Sequence, residues 1–399
     1  MSYSAYHIFD SGIMYRHNKL TGTIICIAFI LQSCIYDYFS LDGSHEGSLV
    51  IYGMITTEMG PHEITIRKTY SIENHGSSLV VGAKVSLSDD RGSTIPLAED
   101  SIGRYFTPKT FEGQIGTKYK LNIELQEGKQ YESEYVELLD VPGISELKAK
   151  YITKPATVDT DADEGYQFYI STEPGNSEQK YFKWEIIDDS EYHLAYIYRY
   201  YWDGHSLTDV NISNICYVQS HLTDISIAAT NNFQNNCLTN YPFCFSPKSL
   251  KFKWGYGIKA RQYALSEFSY NFWKGALENN LPDPINSKQA YQIIGNFKCI
   301  SNPKEPVFGI FEASAVKVRG IEVKNRFYDV EVQREIPACS FSRVEDMTPV
   351  ALTGWYPGYV GFLIGDKLPG YVLMRDKKCI FCESSGGTSV RPEYWEKIK

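Results

Sequence analysis

The first third of the chain is a series of short segments in which apolar and polar residues alternate, and this pattern restricts the fold more than any other feature. The alternation is clear at residues 62–68, 83–88 and 118–125, and a period of two is typical of a strand with one buried face. A Gly-containing turn then returns the chain through residues 130–138, which predicts a hairpin. Six or seven such strands predict an N-terminal β-sandwich over residues 47–140, of the transthyretin or immunoglobulin type.

A second, larger β domain is predicted over residues 144–399, after an Asp-Val-Pro-Gly boundary at 140–143. Its expected strands include 165–172, 180–187, 191–202, 254–265 and two or three more within 306–336. Residues 203–250 are rich in Asn, Ser and Cys, and they predict a long loop insertion that covers about 203–290 and includes one helix capped by Ser266. The predicted fold class is therefore mostly β: a first sandwich, then a fibronectin-like domain with one helix, a loop insertion and a Cys-containing tail.

An apolar run of 11 residues at 21–31 follows a basic patch and leads into Leu-Gln-Ser-Cys, which ends at Cys34. The run is too short to cross a bilayer, which takes about 20 residues. A basic segment, a short apolar core and a small residue at the cut site are typical of a secretory signal peptide. We therefore expect residues 1–33 to be removed and Cys34 to become the lipidated first residue. The alternatives are a membrane anchor, or an ordinary signal followed by a chance cysteine.

The extreme N-terminus does not suit the basic part of a signal peptide, because residues 1–13 carry Asp10 and scattered aromatic residues. We expect translation to begin at Met14 instead. After the lipidated cysteine, residues 34–46 form a short polar tether. Acyl chains contribute about 0.8 kcal/mol per buried CH₂, so a lipidated N-terminus would hold the protein on a membrane almost permanently.

The charge of the chain excludes some partners. Its net charge is −9 and it contains no basic block, which argues against binding to nucleic acid and against electrostatic attachment to a membrane. The 31 tyrosines favour strands and can also contribute to binding surfaces.

Seven cysteines remain after the signal and the lipidated residue are set aside, and in an exported protein they are candidates for disulfides. They are Cys216, Cys237, Cys244, Cys299, Cys339, Cys379 and Cys382. The number is odd, so at most three bridges can form. Cys379 and Cys382 could be half of a zinc site or a redox pair, but no second ligand pair or βαβ context accompanies them. Structural disulfides are the favoured interpretation, and Cys237 is near enough to Cys244 for a local bridge.

Other constellations support weaker hypotheses. Residues 159–165 are acidic but lack the glycine and glutamate of a calcium loop, so a solvated turn is expected. Residues 203–206 place His205 beside Ser206 without a nucleophile elbow, and a loop is expected there too. An aromatic strand could stack sugars or peptide rings, although packing within a sheet is the favoured alternative. Its candidate stacking residues are Tyr196, Tyr198, Tyr200 and Trp202.

Taken in order, a set of short motifs resembles the domain-of-unknown-function 4249 family. The motifs are VVGAKV at 80–85, GRY at 103–105, GTKYKL at 116–121, QYALS at 262–266, FWK at 272–274, GN at 295–296, VFGIF at 307–311, CIFC at 379–382, GGT at 386–388 and RPEYW at 391–395. Each is short, but their order and the signal in front of them make the set specific, and it covers nearly the whole mature chain.

The resemblance implies an outer-membrane lipoprotein of a Gram-negative bacterium, of a family often encoded near TonB-dependent transporters. We therefore expect a non-enzymatic binding or accessory subunit that works with such a transporter in nutrient uptake. A surface adhesin or structural envelope protein is the first alternative, and a hydrolase with a hidden site is the second. We expect no cofactor and no nucleic-acid partner. The sequence is compatible with either the periplasmic or the extracellular face, and the family supplies no catalytic residue.

Overall fold

The computed structural model describes residues 47–69, 78–100, 103–155, 163–174, 179–194, 198–203, 205–231, 233–280, 293, 295–323, 341–344, 361–364, 371–374 and 377–395. The expected signal peptide, the start at Met14, the lipidated Cys34, the tether and Cys339 lie outside these residues. The described part is mostly β, as predicted, with several antiparallel sheets in a sandwich-like arrangement. None of its helices is long and apolar enough to cross a membrane.

Two sheets form the N-terminal sandwich, and the strands are numbered in chain order. The first has the order β20-β1-β2-β7-β6, with β3 beside β2. Its strands are β1 (Leu49–Thr56), β2 (Glu63–Lys68), β3 (Ser78–Leu79), β6 (Ala98–Glu99), β7 (Arg104–Phe106) and β20 (Val307–Ser314). The second has the order β19-β9-β8-β4-β5, with β10 beside β8. Its strands are β4 (Lys84–Asp89), β5 (Thr94–Pro96), β8 (Lys118–Glu124), β9 (Gln130–Ser133), β10 (Val136–Glu137) and β19 (Phe297–Cys299).

Three further sheets follow. One has the order β11-β12-β17, from β11 (Ile144–Lys154), β12 (Asp163–Thr172) and β17 (Tyr241–Pro247). The central sheet has the order β16-β13-β18-β21, from β13 (Tyr181–His193), β16 (Ile215–Ala229), β18 (Gly255–Leu265) and β21 (Val316–Val323). The last has the order β15-β14-β23-β24-β22, from β14 (Tyr198–Trp202), β15 (Leu207–Ile212), β22 (Phe341–Val344), β23 (Gly361–Ile364) and β24 (Tyr371–Met374).

The helical elements are short apart from one. Helix α1 spans Glu267–Asn280, and 3-10 turns lie at Gln234–Asn236, Leu250–Phe252, Lys377–Cys379 and Glu383–Ser385. The Ser266 hydroxyl accepts a hydrogen bond from the Ser269 amide at 3.0 Å, which satisfies one of the free amides of the first helical turn. The cap predicted for this helix is confirmed.

The predicted sandwich is incomplete without strands from far downstream. β20 pairs in parallel with β1, where Ile51 lies opposite Gly309, and β19 pairs with β9. Strand β20 therefore belongs to the first sheet and β19 to the second sheet of a sandwich that was predicted to lie within residues 47–140. Local alternation cannot reveal a partner some 250 residues away, because it reports only which face of a strand is buried.

The predicted loop insertion at about 203–290 is wrong. Residues 203–250 contain β15, β16 and β17, and β15 and β16 belong to sheets with residues on either side of the region. The strand predicted at 254–265 and the helix after Ser266 are present as β18 and α1. The polar composition that suggests a loop has a physical cause. Along much of β16, every second side chain faces solvent, and a strand of this kind carries polar residues at its exposed positions.

One hydrophobic core runs through the sheets of both predicted domains. It contains Ile51 and Leu121 from the sandwich, Phe168 from β12, and Trp184 and Ile258 from the central sheet. A shared core of this kind means that the two regions pack as a unit over the described residues, although the sequence divided them at 140–143.

Candidate functional site

Alternation within the central sheet places charged and polar side chains on the face turned away from the core. On β13, Trp184 and Ile186 pack into the core, so Glu185 and Asp189 lie on the opposite face. We call this the polar face. By alternation and register it contains Lys183, Glu185, Ile187, Asp189 and Glu191 of β13, Tyr217, Gln219 and His221 of β16, Gly255, Gly257, Lys259, Arg261 and Tyr263 of β18, and Val318, Gly320 and Glu322 of β21.

Glycines on the polar face make room for the C-terminal segment, residues 388–395. A Cβ on Gly320 would lie 2.3 Å from Cγ of Tyr394, and one on Gly257 would lie 2.8 Å from Nε1 of Trp395. The two aromatic rings therefore lie directly against the backbone of β18 and β21, and Trp395 is only 3% exposed. Reciprocal backbone hydrogen bonds of 2.8 Å between Tyr217 and Thr388 begin this contact.

A buried carboxylate holds the C-terminal segment to the sheet. The Tyr394 hydroxyl donates to Asp189 Oδ2 at 2.7 Å, and Gln219 Nε2 donates to Asp189 Oδ1 at 3.2 Å. Burial raises the pKa of Tyr394, and its hydrogen bond to the Asp189 carboxylate raises this pKa further. The phenol therefore stays protonated at neutral pH and remains a donor.

A cleft of about 460 Å³ opens between the C-terminal segment and the polar face. Its volume lies within the range of small-molecule sites, roughly 300–1,000 Å³. Its lining residues are Asp189, Tyr217, Gln219, Lys259, Val318, Arg319, Gly320, Thr388, Val390, Arg391, Pro392, Glu393 and Tyr394. Because charged, aromatic and aliphatic side chains all reach it, this cleft is our candidate binding site.

The other end of the polar face is closed by a buried ion pair. Lys183 on β13 pairs with Glu312 on β20, and the two side chains are only 15% and 6% exposed. The indole of Trp273 on α1 donates to Glu312 Oε1 at 2.9 Å, and the Lys183 ammonium lies 4.4 Å from the Trp273 ring centroid. One carboxylate thus joins the first sheet, the central sheet and the helix.

Arg261 extends this closed end into a charged network. Its guanidinium pairs with Glu58, which follows β1, and with Glu185 at 3.1 Å. The Tyr263 hydroxyl donates to Glu185 Oε2 at 2.8 Å. Because these carboxylates already have hydrogen-bond donors, the network fixes the sheets to each other. The cleft near Lys259 is the open part of the polar face.

A disulfide anchors the C-terminal segment. Cys216 on β16 is bonded to Cys382, and Cys379 is also disulfide-bonded, so the CxxC motif does not close on itself. The bridge lies in a small buried cluster with Tyr192 and Leu194. It fixes the chain six residues before the segment that forms one wall of the cleft.

Removing this bridge should lower the free energy of unfolding by about 2–5 kcal/mol, because it closes a long loop, with a sequence separation of 166 residues. Urea denaturation of Cys216→Ala would measure the loss. The double variant Cys216→Ala/Cys382→Ala is the control and should be no less stable than the single one. A single variant as stable as the wild type would contradict a structural role.

Three of the seven candidate cysteines form no disulfide: Cys237, Cys244 and Cys299. The local bridge between Cys237 and Cys244 that the spacing allowed is therefore not made. Cys244 on β17 and Cys299 on β19 belong to the hydrophobic core, where a thiol packs as a small apolar side chain. Burial raises the pKa of Cys244 to about 12, which disfavours the reactive thiolate.

The candidate stacking aromatics do not form an exposed platform in the part of the chain that is described. Trp202 is fully buried, so it cannot stack a ligand, and Tyr200 is half-buried. Tyr198 lies on β14, and Tyr196 is outside the described residues. The prediction for Trp202 is wrong because its side chain is enclosed by the protein at the end of β14, a strand that pairs with β15 and β23 on its two edges.

The turn between β14 and β15 contains no catalytic pair. Asp203 Oδ1 accepts hydrogen bonds from the amides of His205, at 2.7 Å, and Ser206, at 2.6 Å. These bonds lower the pKa of Asp203 and are typical of an aspartate that forms a turn. The predicted loop is confirmed. Across the described residues, no group of three or more His, Cys, Asp or Glu side chains is placed to hold a metal ion.

The residues of the cleft were missed in the sequence because they come from four strands and the C-terminal segment. One local signal was available. Asp188, Asp189 and Ser190 separated two predicted strands, yet β13 runs through all three without a break, and all three are buried. Consecutive polar residues inside a strand predict buried hydrogen-bond partners, and here the partners of Asp189 line the cleft.

Comparison with known protein families identifies the family of the chain. The family model described as Domain of unknown function (DUF4249) matches residues 36–319. No curated protein matches the chain. The matched residues include most of the strands of the cleft, while residues 388–395 lie beyond them.

Proposed function

Because the chain belongs to the domain of unknown function 4249 family, we propose that it is a lipid-anchored outer-membrane protein that acts as a non-enzymatic binding or accessory subunit. Its partner in this proposal is a TonB-dependent transporter, and its role is nutrient uptake. The anchor is the lipid on Cys34, supported by the basic patch, apolar run and Cys34 in that order. The partner is supported by the family resemblance.

The observation that carries the binding role is the cleft of about 460 Å³ on the polar face. One of its walls is the C-terminal segment, which the disulfide, the Tyr394–Asp189 hydrogen bond and the glycine contacts hold in place. A site built on strands and held by a covalent bridge is preorganised, which lowers the entropic cost of binding a ligand.

The anchor is tested by one substitution. Cys34→Ser removes the sulfur that would carry the lipid, and we expect the protein to move from the membrane fraction to the soluble fraction, with a changed mass. Fractionation and mass spectrometry of the purified protein measure both changes. Cys26→Ser, within the expected signal, is the control and should leave both unchanged. A Cys34→Ser protein that stays with the envelope at unchanged mass would refute the anchor.

The partner is tested by purifying the lipidated protein in detergent from its own envelope. A co-purifying transporter supports the accessory role. Binding to cells or matrix without a transporter would favour the adhesin or structural alternative instead. The hydrolase alternative would need His, Asp and Ser side chains within hydrogen-bond reach in one pocket, and the turn at 203–206 does not supply them.

A further inference from the structure

We propose that the cleft binds a small organic carboxylate with an apolar body, and that Lys259 pairs with the carboxylate. This inference rests on the proposed binding role and adds the chemical class of the ligand. Two observations support it. Lys259 in the cleft has no carboxylate partner among the described residues, and aliphatic side chains line the rim of the cleft.

The acidic groups around the cleft floor already have donors. Asp189 accepts from Tyr394 and Gln219 at 2.7 and 3.2 Å, and Glu322 accepts from Arg391 at 3.5 Å. Glu393 also lines the cleft, but it is exposed to solvent. Each of these buried carboxylates therefore already accepts hydrogen bonds from the protein itself, although the two donors to Asp189 are neutral.

The basic groups are less completely neutralised. Lys259 is half-buried and lines the cleft, and within the described ranges it has neither a hydrogen bond nor an ion pair. Arg319 belongs to the opposite face of β21, where it donates to the carbonyl oxygens of Ile144 and Ser145 on β11, at 2.8 and 2.6 Å. Among the described residues, Lys259 is therefore the basic side chain of the cleft that has no carboxylate partner, although the net charge of the whole chain is −9.

The position of Lys259 suits an incoming anion. It lies opposite Gly320 on one side and Ile187 on the other, so neither neighbour supplies a polar group to its ammonium. Gly320 has no side chain, and the ring of Tyr394 occupies the place that one would take. A half-buried ammonium binds an anion more strongly than one in open solvent, because the screening by water is weaker.

The rim of the cleft indicates the rest of the ligand. Val318 and Val390 line it and are 45% and 69% exposed. Single exposed valines are ordinary, but these two come from β21 and the C-terminal segment and border one cleft. An anion with a short hydrocarbon body would pair with Lys259 and cover both valines, whereas phosphate would pair with Lys259 and leave the valines exposed.

The test is isothermal titration of the full, lipidated chain in detergent with three probes: hexanoate, its neutral analogue hexanamide, and inorganic phosphate. A protein-free detergent blank is subtracted. We expect hexanoate to bind at least about tenfold more tightly than the other two. Lys259→Met should weaken hexanoate at least about tenfold, because it removes a hydrogen bond to a charged group.

Two variants keep the test specific. Lys84→Met removes an exposed lysine of the sandwich, 81% exposed, and should leave hexanoate binding unchanged. Val390→Ser should weaken hexanoate but not phosphate. Equal affinity for hexanamide, equal affinity for phosphate, unchanged binding in Lys259→Met, or no binding of hexanoate would each overturn the proposal. None of these results bears on the Cys34→Ser fractionation, so the two proposals can fail separately.

Discussion

Gly309→Ala should lower the free energy of unfolding by more than about 4 kcal/mol, a loss that single substitutions reach only through severe steric or backbone conflict. Gly309 lies within β20 at φ +98, a region that residues with a side chain rarely adopt. A Cβ there would lie 1.9 Å from the carbonyl oxygen of Ile51, its parallel partner on β1. That oxygen belongs to a strand buried in the core, so it cannot move aside without breaking the first sheet.

Gly116→Ala is the matched control for Gly309→Ala. Gly116 also has a positive φ, +78, but no atom lies within 4 Å of the position that its Cβ would take. Backbone strain alone should cost about 1–2 kcal/mol. Urea denaturation of both variants separates strain from collision. Equal losses for the two variants would show that β20 does not approach β1 as closely as described.

Glu312→Ala should lower the free energy of unfolding by about 3–5 kcal/mol, because it leaves the Lys183 ammonium buried without its carboxylate. The same change also removes the acceptor of the Trp273 indole. The double variant Lys183→Met/Glu312→Leu should recover most of this loss, since well-packed apolar residues often replace a buried ion pair at little cost. Denaturant unfolding of the single and double variants measures both effects.

An exposed ion pair provides the control for Glu312→Ala. Lys84 and Glu124 are 2.8 Å apart, and their side chains are 81% and 41% exposed. Glu124→Ala should cost less than about 1 kcal/mol, as is usual for surface pairs. If Glu312→Ala were as mild as Glu124→Ala, Glu312 would not join the two sheets and α1 in solution.

The sequence predicted the features that depend on neighbouring residues. The alternation at 62–68, 83–88 and 118–125 corresponds to β2, β4 and β8, because a strand with one buried face must alternate whatever its partner. The helix after Ser266 was predicted for a similar reason, since its cap and its apolar spacing are both local.

Features that depend on distant contacts were not predicted. The pairing of β1 with β20 and of Cys216 with Cys382 leaves no local trace in the chain. The polar composition of β16 predicts a loop, because the solvent-facing half of its side chains is as polar as a loop. Lys259 was missed for the same reason as the cleft itself. Its environment is made by Ile187, Gly320 and Tyr394, which only the fold brings together.

The parallel pairing of β1 with β20 has a consequence for the order of events during biosynthesis. Ribosomes extend a chain at about 5–20 residues per second, so residues 307–314 emerge roughly 10–50 s after residues 49–56. Throughout that interval β1 exposes an unsatisfied edge of the kind that promotes aggregation. We therefore expect truncation before residue 307 to yield insoluble fragments, because β1 would keep this edge unpaired.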